Sequence, residues 1–272
     1  MYPTLFEIGP LSMSAYGAGV GAALLLAMFL ASRWSQDRQD LPKDLFWTLG
    51  LIAVVGGVVG ARLEYVRVHL PEFIDEPARI LAVQNGGVVF HGGLLLAMAG
   101  LIAYLAFKKL PVLDILDYAA PATAFAVGVA RIGCFGAGCC YGGPTDLPWA
   151  VTFTDETAIA PTGIALHPTQ LYASLYCWAL GAFLLFRLRR KRFHGEIVLL
   201  FFTIYPVLRS INEVLRSDDK ERGFFLPSLL GETLSTAQGI SVLLALGALV
   251  GWVVLLRRAR ESSPSPEASS SS

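Results

Sequence analysis

Seven apolar stretches, each about long enough to cross a bilayer, constrain the fold of this chain more than any other feature. They occupy residues 14–31, 46–61, 88–107, 112–130, 170–186, 195–208 and 237–256. A chain of 272 residues that is 54% hydrophobic and only 15% charged is too apolar for a soluble domain. The sequence therefore predicts an all-α polytopic membrane protein with seven transmembrane helices. The net charge of zero gives no indication of nucleic-acid binding.

Basic residues predict the orientation of the spans. Lys and Arg are more frequent after spans one, three, five and seven, above all in the segment LFRLRRKRFH. The positive-inside rule places these connections in the cytoplasm, so the N-terminus is expected outside and the C-terminus inside. One transmembrane domain is expected over 1–260, with a small loop-rich outer cap near 142–166 that includes a strand at 149–154. A polar tail over 261–272 is expected to be disordered, and the N-terminus has no signal-peptide pattern.

The polar residues of the spans fall at one predicted level, the outer ends of the helices. These residues are Tyr16, Arg62, Glu64, His91, Arg131, His167, Arg209, Asn212, Glu213, Arg216 and Gln238. Ionisable side chains at membrane depth usually face a polar cavity, so the pattern favours one polar chamber in the outer half of the bundle. The alternative is that charges collect at helix ends and arginines extend toward the headgroups.

The residue types in this chamber indicate anion chemistry. Arginines such as Arg131 and Arg209 hold a phosphate through a planar fork, which predicts an anionic phospholipid ligand. His91 lies in the segment GGVVFHGGLL between two pairs of glycines, where another backbone or a ligand can approach closely. A neutral histidine at such a position is a candidate general base. Glu213 follows Arg209 by four residues and is expected to orient it. The alternatives without a catalytic role are that His91 only starts a helix and that Arg209 and Glu213 form a weak ion pair at the surface.

Three of the four cysteines lie in the segment ARIGCFGAGCCYG, which its glycines predict to be irregular backbone. A Cys134–Cys139 disulfide and a thiol redox role for Cys134, Cys139 and Cys140 are both open alternatives. The spacing is a weak signal for metal, and no metal site is expected. Cys177 lies within span five and is expected to be a small core residue.

The ordered set of motifs resembles the prolipoprotein diacylglyceryl transferase family over nearly the whole chain. The motifs are FEIGPLSMSAYG, GARLEY, GGVVFHGGLL, ARIGCFGAGCCYG, LHPTQLY, LRSINEVLR and LSTAQG. The resemblance implies a seven-span enzyme of the bacterial inner membrane. It implies transfer of the diacylglyceryl group of phosphatidylglycerol to the lipobox cysteine of a preprolipoprotein signal peptide, with loss of glycerol 1-phosphate. Neither a metal nor an organic cofactor is implied.

Roles for individual residues follow from the same resemblance. His91 is expected to act as the base, with Arg131, Arg209 and Tyr16 completing the catalytic set. Phosphatidylglycerol is expected to bind at a set of residues that overlaps it: Arg62, Arg131, Cys134, Gly142, His167, Arg209 and Glu213.

Three positions depart from the family pattern. Asparagine is usual where Cys134 stands, and glutamate is usual where Cys139 and Ala173 stand. The alternative functions are a non-catalytic membrane protein that binds anionic lipid, or a transporter, although no internal repeat supports the latter.

Overall fold

Seven helices build the described part of the chain, which comprises residues 4–8, 11–70, 73, 80, 90–217 and 235–261 of a computed structural model. They are α1 (Ala15–Trp34), α2 (Leu45–Val68), α3 (Phe90–Phe107), α4 (Val112–Ala137), α5 (Thr169–Leu188), α6 (Glu196–Val214) and α7 (Thr236–Glu261). Each lies at one of the seven predicted spans. Six are long and apolar enough to cross a membrane, and α3 carries a shorter apolar stretch, Gly92–Phe107.

The chain divides into two compact units. The larger unit comprises Met1–Ala27 and Leu113–Ser272, and the smaller unit comprises Met28–Val112. Helix α1 therefore begins in the larger unit and ends in the smaller one. The predicted disordered tail lies outside the described residues, apart from Glu261 at the end of α7.

Several helices extend beyond the ends that hydropathy predicts. Helix α4 continues through Ala137, and α6 continues through Val214. Arg209 and Glu213 therefore lie within the last turns of α6 rather than after the span, which corrects the prediction. The reason is that a helix satisfies its own backbone hydrogen bonds, so polar residues at its end do not stop it.

Four short strands accompany the helices in the larger unit. Strands β1 (Thr4–Ile8) and β2 (Leu11–Ser14) form an antiparallel hairpin directly before α1, which the sequence did not predict. Strands β3 (Val151–Thr152) and β4 (Ala165–Leu166) pair within the predicted cap. The strand expected at 149–154 is confirmed at its centre. Phe153, Ala160 and Leu166 form a small buried core there, so the loop-rich segment is packed.

In the smaller unit, α2 and α3 pack through glycines. A Cβ on Gly92 would lie 2.4 Å from the carbonyl oxygen of Gly60, and one on Gly93 would lie 2.5 Å from that of Gly57. Small residues allow such close backbone approach between helices in a membrane. The close approach predicted beside His91 is therefore confirmed for the glycines that follow it.

In the larger unit, the start of α6 is capped by a side chain from α4. Gly195, which precedes α6, has no side chain to cap the helix. The fully buried Asp117 carboxylate accepts hydrogen bonds from the backbone N–H groups of Gly195, Ile197 and Val198, at 2.8, 2.9 and 3.1 Å. A negative charge at a helix N-terminus is stabilising. Lys191 donates to Asp117 at 3.0 Å and also pairs with Asp114, which balances the buried carboxylates.

Candidate active site

Tyr16 is positioned by a glycine crossing between α1 and α4. A Cβ on Gly19 would lie 2.6 Å from the Cα of Gly133, and one on Gly133 would lie 2.8 Å from the Cα of Gly19. The two backbones therefore touch about one turn from Tyr16. Its side chain interacts electrostatically with Cys134 and Arg131. The predicted convergence of Tyr16 with Arg131 is confirmed.

Arg131 on α4 and Arg209 on α6 converge on the same two tyrosines. Tyr176 on α5 and Tyr205 on α6 each interact electrostatically with both arginines. The larger unit therefore holds two guanidinium groups and two phenol groups in one neighbourhood. Such a set can bind a phosphate through charge-assisted hydrogen bonds.

Glu213 lies between two arginines at the end of α6. It pairs with Arg209 four residues earlier, and its Oε2 lies 3.4 Å from Nη1 of Arg216. Its side chain is only 1% exposed, so the pair predicted on helical spacing is confirmed and is not a surface pair. Burial of a carboxylate is unfavourable without cations beside it, and two are present. Glu213 therefore fixes the orientation of the Arg209 fork.

Gly142 connects the ends of three helices. It forms an antiparallel bridge with Arg216 beyond α6, and its N–H donates to the carbonyl oxygen of His167 before α5 at 3.1 Å. A Cβ on Gly142 would lie 2.5 Å from the Cβ of His167 and 2.8 Å from Cγ2 of Thr169. Only glycine fits this space without displacing its neighbours. Gly142 thus sets the spacing of the segments that carry the arginines.

His167 lies beside Gly142, yet its ring contacts a different residue. Its Nδ1 is 3.3 Å from the hydroxyl of Tyr172, which accepts a hydrogen bond from Nε1 of Trp149 at 2.8 Å. The role of His167 in lipid binding remains a prediction. The structure shows it joining the cap to the start of α5.

The cysteine segment is more regular than the sequence predicts. Helix α4 carries Cys134, and irregular backbone begins only at Gly138, which has a φ of 74°. All four cysteines of the chain are free thiols, so no Cys134–Cys139 disulfide is present. The glycines expected to break the helix, Gly133 and Gly136, instead pack against α1.

The thiols and nearby arginines influence one another electrostatically. The neighbouring thiols of Cys134 and Cys139 hold the pKa of the Cys140 thiol below its ordinary value, against the opposing effect of burial. The positive charges of Arg216 and Arg131 lower this pKa further. Cys140 therefore lies in an electropositive environment beside Arg131 and Arg216.

Two predicted site residues belong to the smaller unit. Arg62 is 7% exposed; it donates from Nε to the carbonyl oxygen of Ile80 at 2.9 Å, and its guanidinium lies 5.4 Å from the ring centres of Tyr65 and Phe73. These contacts lie within the smaller unit, and the role of Arg62 in lipid binding remains a prediction. His91 is the second residue of α3, and its side chain lies outside the described part of the structure. The catalytic role of His91 remains a prediction.

Sequence reasoning missed the two tyrosines and the polar residues that hold the cysteine loop. Oγ1 of Thr169 and Nε2 of Gln170 each donate at 2.7 Å to the carbonyl oxygens of Cys140 and Cys139. Tyr176 and Tyr205 stand inside apolar spans, where a hydroxyl needs a partner. That requirement is the signal by which both tyrosines could have been found.

Known proteins that resemble this chain in sequence indicate its family. The sequence model of the family described as prolipoprotein diacylglyceryl transferase matches residues 3–254. A protein of Clostridium tetani named phosphatidylglycerol–prolipoprotein diacylglyceryl transferase is 38% identical over 220 residues, which cover 81% of this chain and 87% of that protein. The protein of the same name from Photobacterium profundum is 34% identical, over 88% of this chain and 87% of that protein. The one from Synechococcus elongatus is 33% identical, over 94% of this chain and 89% of that protein. The chain belongs to the prolipoprotein diacylglyceryl transferase family.

Proposed function

We propose that this protein transfers the diacylglyceryl group of phosphatidylglycerol to the lipobox cysteine of a preprolipoprotein. Glycerol 1-phosphate leaves, and a thioether remains on the signal peptide. The observation that carries the proposal is the match of residues 3–254 to the prolipoprotein diacylglyceryl transferase family, and the electrostatic interaction of Arg131 and Arg209 with Tyr176 and Tyr205 supports it. Two arginines in a partly buried site suit a lipid phosphate that must become a leaving group.

The chemistry is an alkylation of sulfur. The cysteine thiol gives its proton to His91, because the thiolate is the reactive nucleophile. The sulfur then forms a bond to the glycerol carbon that bears the phosphate, and the carbon–oxygen bond to phosphate breaks. The electron pair of that bond goes to the departing phosphate oxygen.

The arginines act on the charge that develops at this oxygen. Arg131 and Arg209 provide guanidinium groups that are already in place before the reaction, and Glu213 keeps the fork of Arg209 oriented. Tyr16, close to Arg131 at the start of α1, is about half exposed and so is accessible to a substrate. Gly142, His167, Cys134 and Arg62 complete the lipid-binding set.

Both substrates are held in the membrane, so they enter laterally between helices. A groove of about 380 Å³ lies between α6 and α7, and it is lined almost wholly by apolar atoms. Its residues include Ile211 and Val214, next to Asn212 and Glu213. An acyl chain in this groove would lie against the same helix that carries the Arg209–Glu213 pair.

The orientation follows from the basic connections. The protein spans the bacterial cytoplasmic membrane seven times as a single domain over 1–260, with the N-terminus in the periplasm and the tail in the cytoplasm. Helix α3 is the third of these seven spans, and its 18 residues reach across a hydrocarbon core only with help from flanking residues. The segment 142–166 forms the periplasmic cap.

A transfer assay with purified protein tests the proposal. The protein is placed in phosphatidylglycerol vesicles with a lipobox peptide, and the peptide mass and released glycerol phosphate are measured. We expect one diacylglyceryl group per peptide cysteine and an equal amount of glycerol phosphate. Vesicles of phosphatidylcholine and a peptide with Cys→Ser are the matched controls. Binding of phosphatidylglycerol without any transfer would support the non-catalytic alternative instead.

A further inference from the structure

Three thiols converge at the end of α4. The Sγ atoms of Cys134, Cys139 and Cys140 all lie within 4.8 Å of one another, and none forms a disulfide. Cys134 and Cys139 are buried, and Cys140 is partly buried. The sequence spacing alone gave no clear indication of this cluster, because a helical turn and an irregular turn are both needed to form it.

The chain holds this thiol cluster in place from two sides. Helix α4 fixes Cys134, while Gln170 and Thr169 in the first turn of α5 hold the carbonyl groups of Cys139 and Cys140. Cys140 has a φ of 59°, a left-handed conformation that is unfavourable for a residue with a side chain. The surrounding hydrogen bonds maintain this conformation, so the sulfurs are positioned before any ligand arrives.

The surroundings compensate the charge that such a cluster would carry when it binds a metal. Arg131 and Arg216 both interact electrostatically with Cys140. Three thiolates around a divalent cation carry one net negative charge, which a neighbouring guanidinium balances. The amide oxygen Oε1 of Gln170 is buried and has no hydrogen-bond partner within the described residues, although its Nε2 holds the Cys139 carbonyl. A water on a bound ion is a donor that would satisfy it.

We propose that Cys134, Cys139 and Cys140 form a binding site for one soft closed-shell cation, of the class of Zn²⁺ and Cu⁺. Thiolate ligands select such ions over Mg²⁺ and Ca²⁺, which prefer oxygen. A zinc–sulfur bond of about 2.3 Å places two ligand sulfurs about 4 Å apart. The sulfurs of the thiol cluster lie within 4.8 Å of one another, which is compatible with this spacing. The ion is not a reactant in the proposed transfer, although its ligand Cys134 also belongs to the proposed lipid-binding set.

Metal binding by the full-length, untagged protein tests this site. The protein is purified with reductant, stripped of metal and titrated with Co²⁺ as the spectroscopic probe, followed by competition with Zn²⁺. Cu⁺ is titrated separately against a chromogenic chelator. We expect one equivalent of Co²⁺ with thiolate-to-metal charge-transfer absorption, and displacement by Zn²⁺. Tighter binding of Zn²⁺ or of Cu⁺ identifies which ion of this class the site prefers.

Serine variants locate the site. Cys134→Ser, Cys139→Ser and Cys140→Ser should each weaken binding at least about tenfold, a scale typical of perturbed metal sites. Cys177→Ser is the matched control; it removes the buried thiol of α5 and should bind like the parent protein. No uptake by the reduced parent protein would overturn the proposal, whether or not the variants fold. Equal uptake by all four variants, or a native disulfide within the cluster that prevents uptake, would overturn it as well.

Discussion

Gly142 and Arg216 form an isolated antiparallel bridge that ties the cysteine-bearing loop to the end of α6. In the same position Gly142 packs tightly against His167. A Cβ added to Gly142 would lie 2.5 Å from the Cβ of His167. We expect Gly142→Ala to separate these segments and reduce diacylglyceryl transfer by about a hundredfold, the scale of a displacement near 1 Å in an active site. Peptide lipidation at equal expression measures the effect.

The neighbouring glycine provides the control for this variant. Among the described residues, an added Cβ on Gly143 would meet only the Cβ of Ser217, at 3.8 Å, which is ordinary contact. Gly143→Ala should therefore retain most of its activity. Equal activity of the two alanine variants would show that the close approach at Gly142 is not required.

The crossing of α1 and α4 is expected to be similarly sensitive. Gly19→Ala places a Cβ 2.6 Å from the Cα of Gly133 and forces the helices apart. Overpacking of this kind costs about 1–3 kcal/mol, so both thermal stability and transfer should fall. Gly21→Ala lies on the same helix, where no atom of the part of the chain that the structure describes is within 4 Å of the added Cβ, and it should behave as the parent. Indistinguishable stability of the two variants would refute the crossing.

The proposed base gives a third prediction. His91→Gln should reduce the rate of transfer by about 10²–10⁴-fold, the usual contribution of general acid–base catalysis, while phosphatidylglycerol binding is retained. Single-turnover transfer and lipid binding are measured on the same preparation. His194→Gln is the control, since the His194 side chain is 67% exposed in the α5–α6 connection. Near-parental transfer by a stable His91→Gln protein would end the assignment of His91 as the base.

The two phosphate-binding arginines give a fourth prediction. Arg131→Lys and Arg209→Lys keep the charge but lose the planar fork, so each should reduce transfer by roughly tenfold or more. A tenfold loss corresponds to about 1.4 kcal/mol of transition-state stabilisation. The exposed Arg189 in the α5–α6 connection is the control, and Arg189→Lys should leave the rate unchanged. Full activity of both site variants would mean that the phosphate is held elsewhere.

The ion pairs of Lys191 with the carboxylates at the N-terminus of α6 make the stability of the protein depend on pH. Burial disfavours the charge on Lys191, but hydrogen bonds to Asp114 and Asp117 outweigh this effect and raise the pKa of Lys191. The folded protein therefore binds this proton more tightly than the unfolded chain does. The stabilisation is complete below about pH 10.4, the ordinary lysine value, and is lost as the pH rises through the raised pKa.

Thermal unfolding of two variants measures this dependence. Lys191→Met should be less stable than the parent at neutral pH, and the difference should shrink at strongly alkaline pH. Lys191→Arg keeps a charge over the whole range and should hold its stability further into the alkaline region. A stability difference between parent and Lys191→Met that does not change with pH would contradict the role of the Lys191 charge.

Much of the fold was predictable because its causes are local. A helix satisfies its own backbone hydrogen bonds inside a membrane, so each long apolar stretch indicates a helix by itself. All seven predicted spans are confirmed as helices, although their ends are not. The Arg209–Glu213 pair was also predictable, since four residues separate neighbours on one helical face.

Contacts between segments distant in sequence required the tertiary structure. Asp117 caps a helix that begins almost 80 residues later, and no local pattern marks it as a cap. The three thiols meet because α4 continues to Ala137 and the first turn of α5 then holds the loop. The sequence by itself determined the helices, the membrane class and the family, because these depend on local composition and ordered motifs. Only the tertiary structure decided which polar groups meet, because close approach at residues such as Gly19 and Gly142 depends on both partners at once.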